Sequence, residues 1–258
     1  MKFNVLILLT TILLPWLVSA QANKPITINI KDIQYATVDR AGDIYVVAID
    51  GIHKYDPKGK RLSHLPNSST TIFDTGNGVR MTCYSNKSNE IKITDPTLQL
   101  LSTISLDASI AIEPTLACSS DDYDALVFDK ADGSIKVIDT RQSVVTEEFK
   151  LDTPAGISFS FMRKYQNFIF LLNDKTGIEI YNSMGKRLQT IDAPGIWSFN
   201  FIGEELYYYA NGGIHFIDLF TLERREQPIS GTGCKSVLLT DQSLVKIFAS
   251  KIEITGVL

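Results

Sequence analysis

One strand pattern recurs six times along the chain. The copies are Gly51-Ile52-His53-Lys54-Tyr55-Asp56, Glu90-Ile91-Lys92-Ile93-Thr94-Asp95, Ser134-Ile135-Lys136-Val137-Ile138-Asp139, Gly177-Ile178-Glu179-Ile180-Tyr181-Asn182, Gly213-Ile214-His215-Phe216-Ile217-Asp218 and Lys251-Ile252-Glu253-Ile254-Thr255-Gly256. Their second-position isoleucines are spaced by 39, 44, 43, 36 and 38 residues. A period near forty built from short β-type segments indicates propeller blades, each a four-stranded sheet stacked against its neighbours around an axis. The expected fold is therefore all-β: a six-bladed β-propeller with four strands per blade.

The rest of each blade can be laid out around its copied strand. An apolar and aromatic run precedes each copy: Ile44 to Ile49, Val79 to Tyr84, Ala125 to Asp129, Phe168 to Leu172, Leu206 to Tyr209 and Leu244 to Phe248. Such runs suit strands covered on both faces. Short turns join them to the copies, among them Asp50-Gly51, Asp132-Gly133, Thr176-Gly177 and Asn211-Gly212-Gly213, where glycine accepts positive φ. First strands are expected at 33–38, 70–73, 115–118, 157–161, 198–202 and 236–239. Outer strands follow five of the copies, but the sixth copy stands two residues from Leu258. A surplus strand, Ile26-Thr27-Ile28-Asn29-Ile30, precedes the first blade. Using it as the outer strand of blade six closes the ring and leaves no open edge there.

Blade one also carries a family likeness. Val38-Asp39-Arg40-Ala41-Gly42-Asp43-Ile44-Tyr45-Val46, followed by Ile52, Lys54-Tyr55-Asp56-Pro57-Lys58-Gly59-Lys60-Arg61-Leu62, resembles a blade of NHL-like and related six-bladed propellers. A weaker echo ends in Tyr181-Asn182-Ser183-Met184-Gly185-Lys186-Arg187-Leu188. The matching residues build scaffold, so the resemblance implies fold rather than activity.

Residues 1–20 read as a secretory signal. Lys2 begins it, Val5 to Val18 is apolar, and Val18-Ser19-Ala20 suits cleavage before Gln21. The apolar run is about 14 residues, short of the roughly 20 that a spanning helix needs. Residues 21–258 then form a single propeller domain, exported to a periplasmic, cell-envelope or extracellular location and without stable membrane insertion. The formal net charge is −4 and becomes −5 when Lys2 is removed, which disfavours nucleic acid as a partner. Cys83, Cys118 and Cys234 fall in strands, with a Cys83–Cys118 bridge between neighbouring blades left open.

Catalytic chemistry finds little support. His53 and His215 hold the same place in the copied strands of blades one and five, too far apart for one metal ion, and His64 lies in an outer strand at the rim. Gly231-Thr232-Gly233-Cys234-Lys235-Ser236 fails as a phosphate loop, because Cys234 splits the motif and a strand follows. The acidic stretches at 121–124 and 129–133 belong to turns at opposite ends of one strand. Lactonase-like propellers take metal ligands from inner-strand ends, but this chain has Lys31-Asp32-Ile33-Gln34 there rather than Glu followed by Gly-Pro. No cofactor or metal is expected. Glu113 and Trp197, in connections between blades on one face, are the candidate partner-binding residues. The expected function is non-catalytic binding of a protein or glycan through that loop face. The alternative is a metal-dependent hydrolase or lyase at the channel mouth.

Overall fold

Alternating short apolar runs and tight turns give one four-stranded antiparallel sheet after another. The computed structural model describes residues 24–256 other than 67, 68, 77, 122 and 155. The expected signal segment, residues 1–20, and its expected cleavage point lie outside the described residues. Strand β1 (Ile26–Asn29) comes first. Blade one comprises β2 (Ile33–Val38), β3 (Ile44–Ala48), β4 (Gly51–Tyr55) and β5 (Arg61–Pro66). Blade two holds β6 (Ile72–Asp74), β7 (Met81–Ser85), β8 (Glu90–Thr94) and β9 (Leu100–Ser105). Blade three holds β10 (Pro114–Ser119), β11 (Asp124–Asp129), β12 (Ser134–Asp139) and β13 (Val144–Lys150). Blade four holds β14 (Phe161–Tyr165), β15 (Phe168–Asn173), β16 (Gly177–Asn182) and β17 (Arg187–Asp192). Blade five holds β18 (Phe199–Ile202), β19 (Glu205–Ala210), β20 (Gly213–Asp218) and β21 (Arg224–Pro228). Blade six holds β22 (Ser236–Leu239), β23 (Ser243–Ile247) and β24 (Lys251–Gly256), with β1 as its outer strand.

Closure is as the sequence predicts. β1 runs antiparallel to β24, pairing Ile26 with Ile254 and Ile28 with Ile252. The first strands gather around the axis: β2 meets β6 and β22, β10 meets β6 and β14, and β18 meets β22. Because strand direction alternates, the turns after the first and third strands lie at one end of the propeller. The turns after the second strands and the connections between blades lie at the other.

Middle strands such as β3, β7 and β15 are buried on both faces, whereas the outer strand β21 is exposed throughout. This gradient explains why the middle strands read as continuous apolar runs. The channel is plugged. Tyr35 from blade one meets Phe161 from blade four across the axis, ring centroids 5.3 Å apart.

Two features of the copied strand now have causes. The acid or amide that ends it caps the following turn: Asp56 accepts from the amides of Lys58 and Lys60, Asp95 from Thr97 and Gln99, and Asn182 from Met184 and Lys186. The glycine that starts it in blades one and four admits the outer strand. A Cβ on Gly51 would stand 2.1 Å from the Leu65 carbonyl oxygen, and one on Gly177 2.2 Å from that of Ile191. The outer strand carries a one-residue bulge opposite the same place in the copied strand in blades one to four, so that the pairing slips there by one residue.

Two first strands depart from expectation: that of blade two begins at Ile72 rather than 70, and that of blade four is displaced further. The first strand of blade four is Phe161–Tyr165 rather than 157–161. Phe159 is buried ahead of it, and Arg163 and Lys164 interrupt the apolar pattern because they face polar partners near the axis.

Candidate functional site

The turns between first and second strands of all six blades ring one open funnel, a cavity of about 1190 Å³ at the channel mouth. Its floor is a buried ion pair. Arg163 of β14 places Nη2 3.4 Å from Asp74 Oδ1 of blade two, and Nη1 3.4 Å from the Thr37 hydroxyl of blade one. Asp74 is fully engaged, since it also accepts from the backbone amides of Gly76 (3.0 Å) and Ser119 (3.1 Å). Burial opposes the charge on Arg163. The Asp74 carboxylate and the Tyr35 hydroxyl outweigh burial and keep its pKa above the ordinary arginine value.

The wall carries both charge and aromatic surface. Lys164 donates to the Ser120 hydroxyl at 2.9 Å and pairs with Asp121 at 3.1 Å. Beside it Tyr165 stacks flat on Phe201 of blade five, centroids 4.1 Å apart and planes 2° from parallel, and its hydroxyl donates to the Gly203 carbonyl. At the rim the exposed Tyr123 ring lies 4.2 Å from the Arg141 guanidinium, which is held by Asp139 at 3.1 Å. Asp124 is raised above the usual carboxylate range, first by burial and then by the neighbouring charges of Asp121 and Asp139.

No histidine or cysteine lines the funnel among the described residues. Three of its carboxylates are engaged: Asp39 caps its own turn through the amides of Ala41 and Asp43, Asp74 is spent in the floor, and Asp121 pairs with Lys164. Such a surface offers hydrogen bonds, charges of both signs and aromatic faces.

Glu113 and Trp197 stand at the opposite end, before the first strands of blades three and five, with blade four between them. Glu113 is exposed and forms an ion pair with Lys130 at 3.1 Å. Its connection is clamped by Asp129, whose carboxylate accepts from the amides of Ile112 (2.7 Å) and Glu113 (2.9 Å) and pairs with Lys136 at 3.1 Å. Burial alone would raise the Asp129 pKa, but those amides and the Lys136 ammonium hold it below the ordinary value. Trp197 is half-buried against the apolar cluster of blades one and six, with the Lys235 ammonium 5.4 Å from its ring centroid. Asn200 accepts from the neighbouring Phe201 amide, as its place between two phenylalanines suggests.

Sequence reasoning missed two groupings. The funnel residues come from six separate turns and share no local motif. His64 is not an isolated rim residue: it lies directly opposite His53 in the adjacent strand, their rings stacked at 4.4 Å. All three cysteines are free thiols, and burial raises that of Cys83 to about 12.

The fold and funnel define a six-bladed propeller with a polar cleft at one end of a plugged channel. No protein-family model matches the chain, and a search of curated proteins gives no match. The NHL-like resemblance therefore stands on the blade-one and blade-four residues alone.

Proposed function

We propose that this chain is an exported, non-catalytic binding propeller related to the NHL-like group, and that it holds a polar segment of a protein partner in the funnel at the channel mouth. The observation that carries this reading is the funnel itself. It combines cations (Arg40, Arg141, Arg163 and Lys164) with five aspartates, and sets the stacked Tyr165–Phe201 pair between them. Charges of both signs beside aromatic faces match a polypeptide, which presents carboxylate, ammonium and apolar groups together, better than a neutral glycan. This moves the seat away from the end that carries Glu113 and Trp197. There the tryptophan is half-buried beneath Lys235 and the glutamate is tied to Lys130.

The engagement of the funnel carboxylates in turn caps and ion pairs argues for binding over metal-assisted hydrolysis. None of them forms, with others of its kind or with a histidine, a group close enough to share a metal ion among the described residues.

Peptides selected by display against residues 21–258 test the reading. Their affinity should fall at least tenfold on Lys164→Glu and stay within twofold on Glu113→Lys. The reverse pattern would return the seat to the inter-blade loops, and selection of glycans alone from an array would replace the partner class. Mass spectrometry of exported material should find Gln21 first. A retained Met1 would overturn the export reading.

A further inference from the structure

We propose that Asp50, His53 and His64 form a binding site for one divalent late first-row transition ion, of the zinc and copper class, on the outer half of blade one. One potential ligand atom from each of the three lies within 4.8 Å of the others. The Asp50 carboxylate, in the turn ahead of the copied strand, stands 2.8 Å from His53 Nε2. His64 lies across from His53 in the next strand, the two rings 22° from parallel.

The equivalent position in the other blades shows what is unusual. There the polar residue after the copied isoleucine meets a charged side chain, as His53 meets Asp50: Lys92 with Glu90, Lys136 with Asp129, Glu179 with Arg187, His215 with Glu226, and Glu253 with Lys251. Blade one alone sets a second imidazole against the first. This arrangement leaves one nitrogen on the side of the pair, His64 Nε2, buried and without a hydrogen-bond partner. An unpaired buried imidazole nitrogen is costly unless something else takes its lone pair. His53 is itself only 6% exposed.

The donor set decides the metal class. Two imidazoles and one carboxylate suit zinc, copper or nickel, whereas calcium and magnesium prefer oxygen. A tetrahedral ion with bonds of about 2.0–2.1 Å places its donors about 3.3 Å apart. To reach that spacing the Asp50–His53 pair opens from 2.8 Å, and the His64 ring turns out of its stack on His53 to aim a nitrogen at the same ion. The ion would replace the proton shared by Asp50 and His53. The exposed Asp50 side leaves a further coordination position to water or an exogenous ligand.

Zinc and calcium titrated by calorimetry into the untagged chain test the assignment. One equivalent of zinc should bind, calcium should not, and Asp50→Asn and His64→Phe should each weaken zinc at least tenfold. The phenyl ring keeps the stack on His53 without offering a ligand. Cobalt(II) should give the strong visible bands of a four-coordinate site in the parent chain and not in His64→Phe. If His64→Phe melts early without metal, Asp50→Asn, at an exposed turn, serves as the folded variant for both readouts. Zinc affinity or a cobalt spectrum unchanged in a folded variant would overturn the site, and so would zinc binding no tighter than calcium.

Discussion

The Asp74–Arg163 pair is the sharpest place to perturb this protein. It is buried, with the two side chains 3% and 10% exposed, and it joins blade two to blade four below the funnel. Asp74→Asn keeps the shape but leaves one acceptor oxygen where the carboxylate offered two. That oxygen cannot serve both the Ser119 amide on one side and the Gly76 amide with Arg163 on the other. The guanidinium is then a buried charge without a counter-charge, a situation that costs about 3–5 kcal/mol. Against a typical total of about 5–15 kcal/mol, that is a large share. At roughly 2–4 °C per kcal/mol for a domain of this size, the midpoint should drop by about 10 °C. Replacing both members, Asp74→Asn with Arg163→Met, removes the stranded charge and should recover at least half of the loss. Urea unfolding followed by the fluorescence of Trp197 measures the full cycle. The reasoning fails if Asp74→Asn costs under about 1 kcal/mol, or if the double variant is no more stable than the single one.

Three further outcomes follow from the geometry. Asp129→Asn should cost about 2 kcal/mol at pH 7, since it loses charge-assisted bonds to the Ile112–Glu113 connection. Because the folded-state pKa of Asp129 lies below its unfolded value, its stabilisation is complete above about pH 4 and is lost as pH falls through the folded pKa. The variant's acid limb, measured by thermal melts from pH 6 to 2, should be flatter than the parent's, and an identical limb would contradict the clamp. Gly51→Ala should cost about 2–3 kcal/mol, because a Cβ there meets the Leu65 carbonyl at φ +135°. Gly133→Ala, at φ +71° with open space around it, should cost about 1 kcal/mol, and equal losses by urea titration would discount the clash. Trp197→Ala should cost about 2 kcal/mol, roughly half the value of a fully buried aromatic; a melting temperature unchanged within error would show that its ring packs on nothing.

Blade number and closure were legible because both are local. The strand with isoleucine in second place, its capping Asp or Asn and its turn glycine each answer a nearby steric or hydrogen-bonding need, so they recur in the blades that meet it. The funnel was not legible, because Arg163 is tolerable inside only with Asp74 of another blade, and nothing near either residue announces the pairing. The same cross-channel partnership displaced the expected first strand of blade four. The histidine pair was hidden by a bulge. Counting back from the turn, with Tyr55 opposite Arg61, sets His53 against Ser63. The slip after Lys54 advances the outer strand by one residue and brings His64 into place.

Closure through β1 also bears on the order in which the molecule can assemble. Within a blade each strand finds its neighbour across a turn of a few residues, so five sheets can form from short-range encounters. β1 pairs with β24 from more than two hundred residues away. On a loop-closure scale that encounter costs about 5 kcal/mol of chain entropy, several times the cost of a hairpin turn. By contact order, closing the ring is the most non-local pairing in the fold. Until it happens, the edge of the strand bearing Ile252 and Ile254 faces solvent, where it can pair with another chain as readily as with its own. Crowding among newly made copies, rather than any weakness of the finished ring, is where this architecture is most exposed to failure.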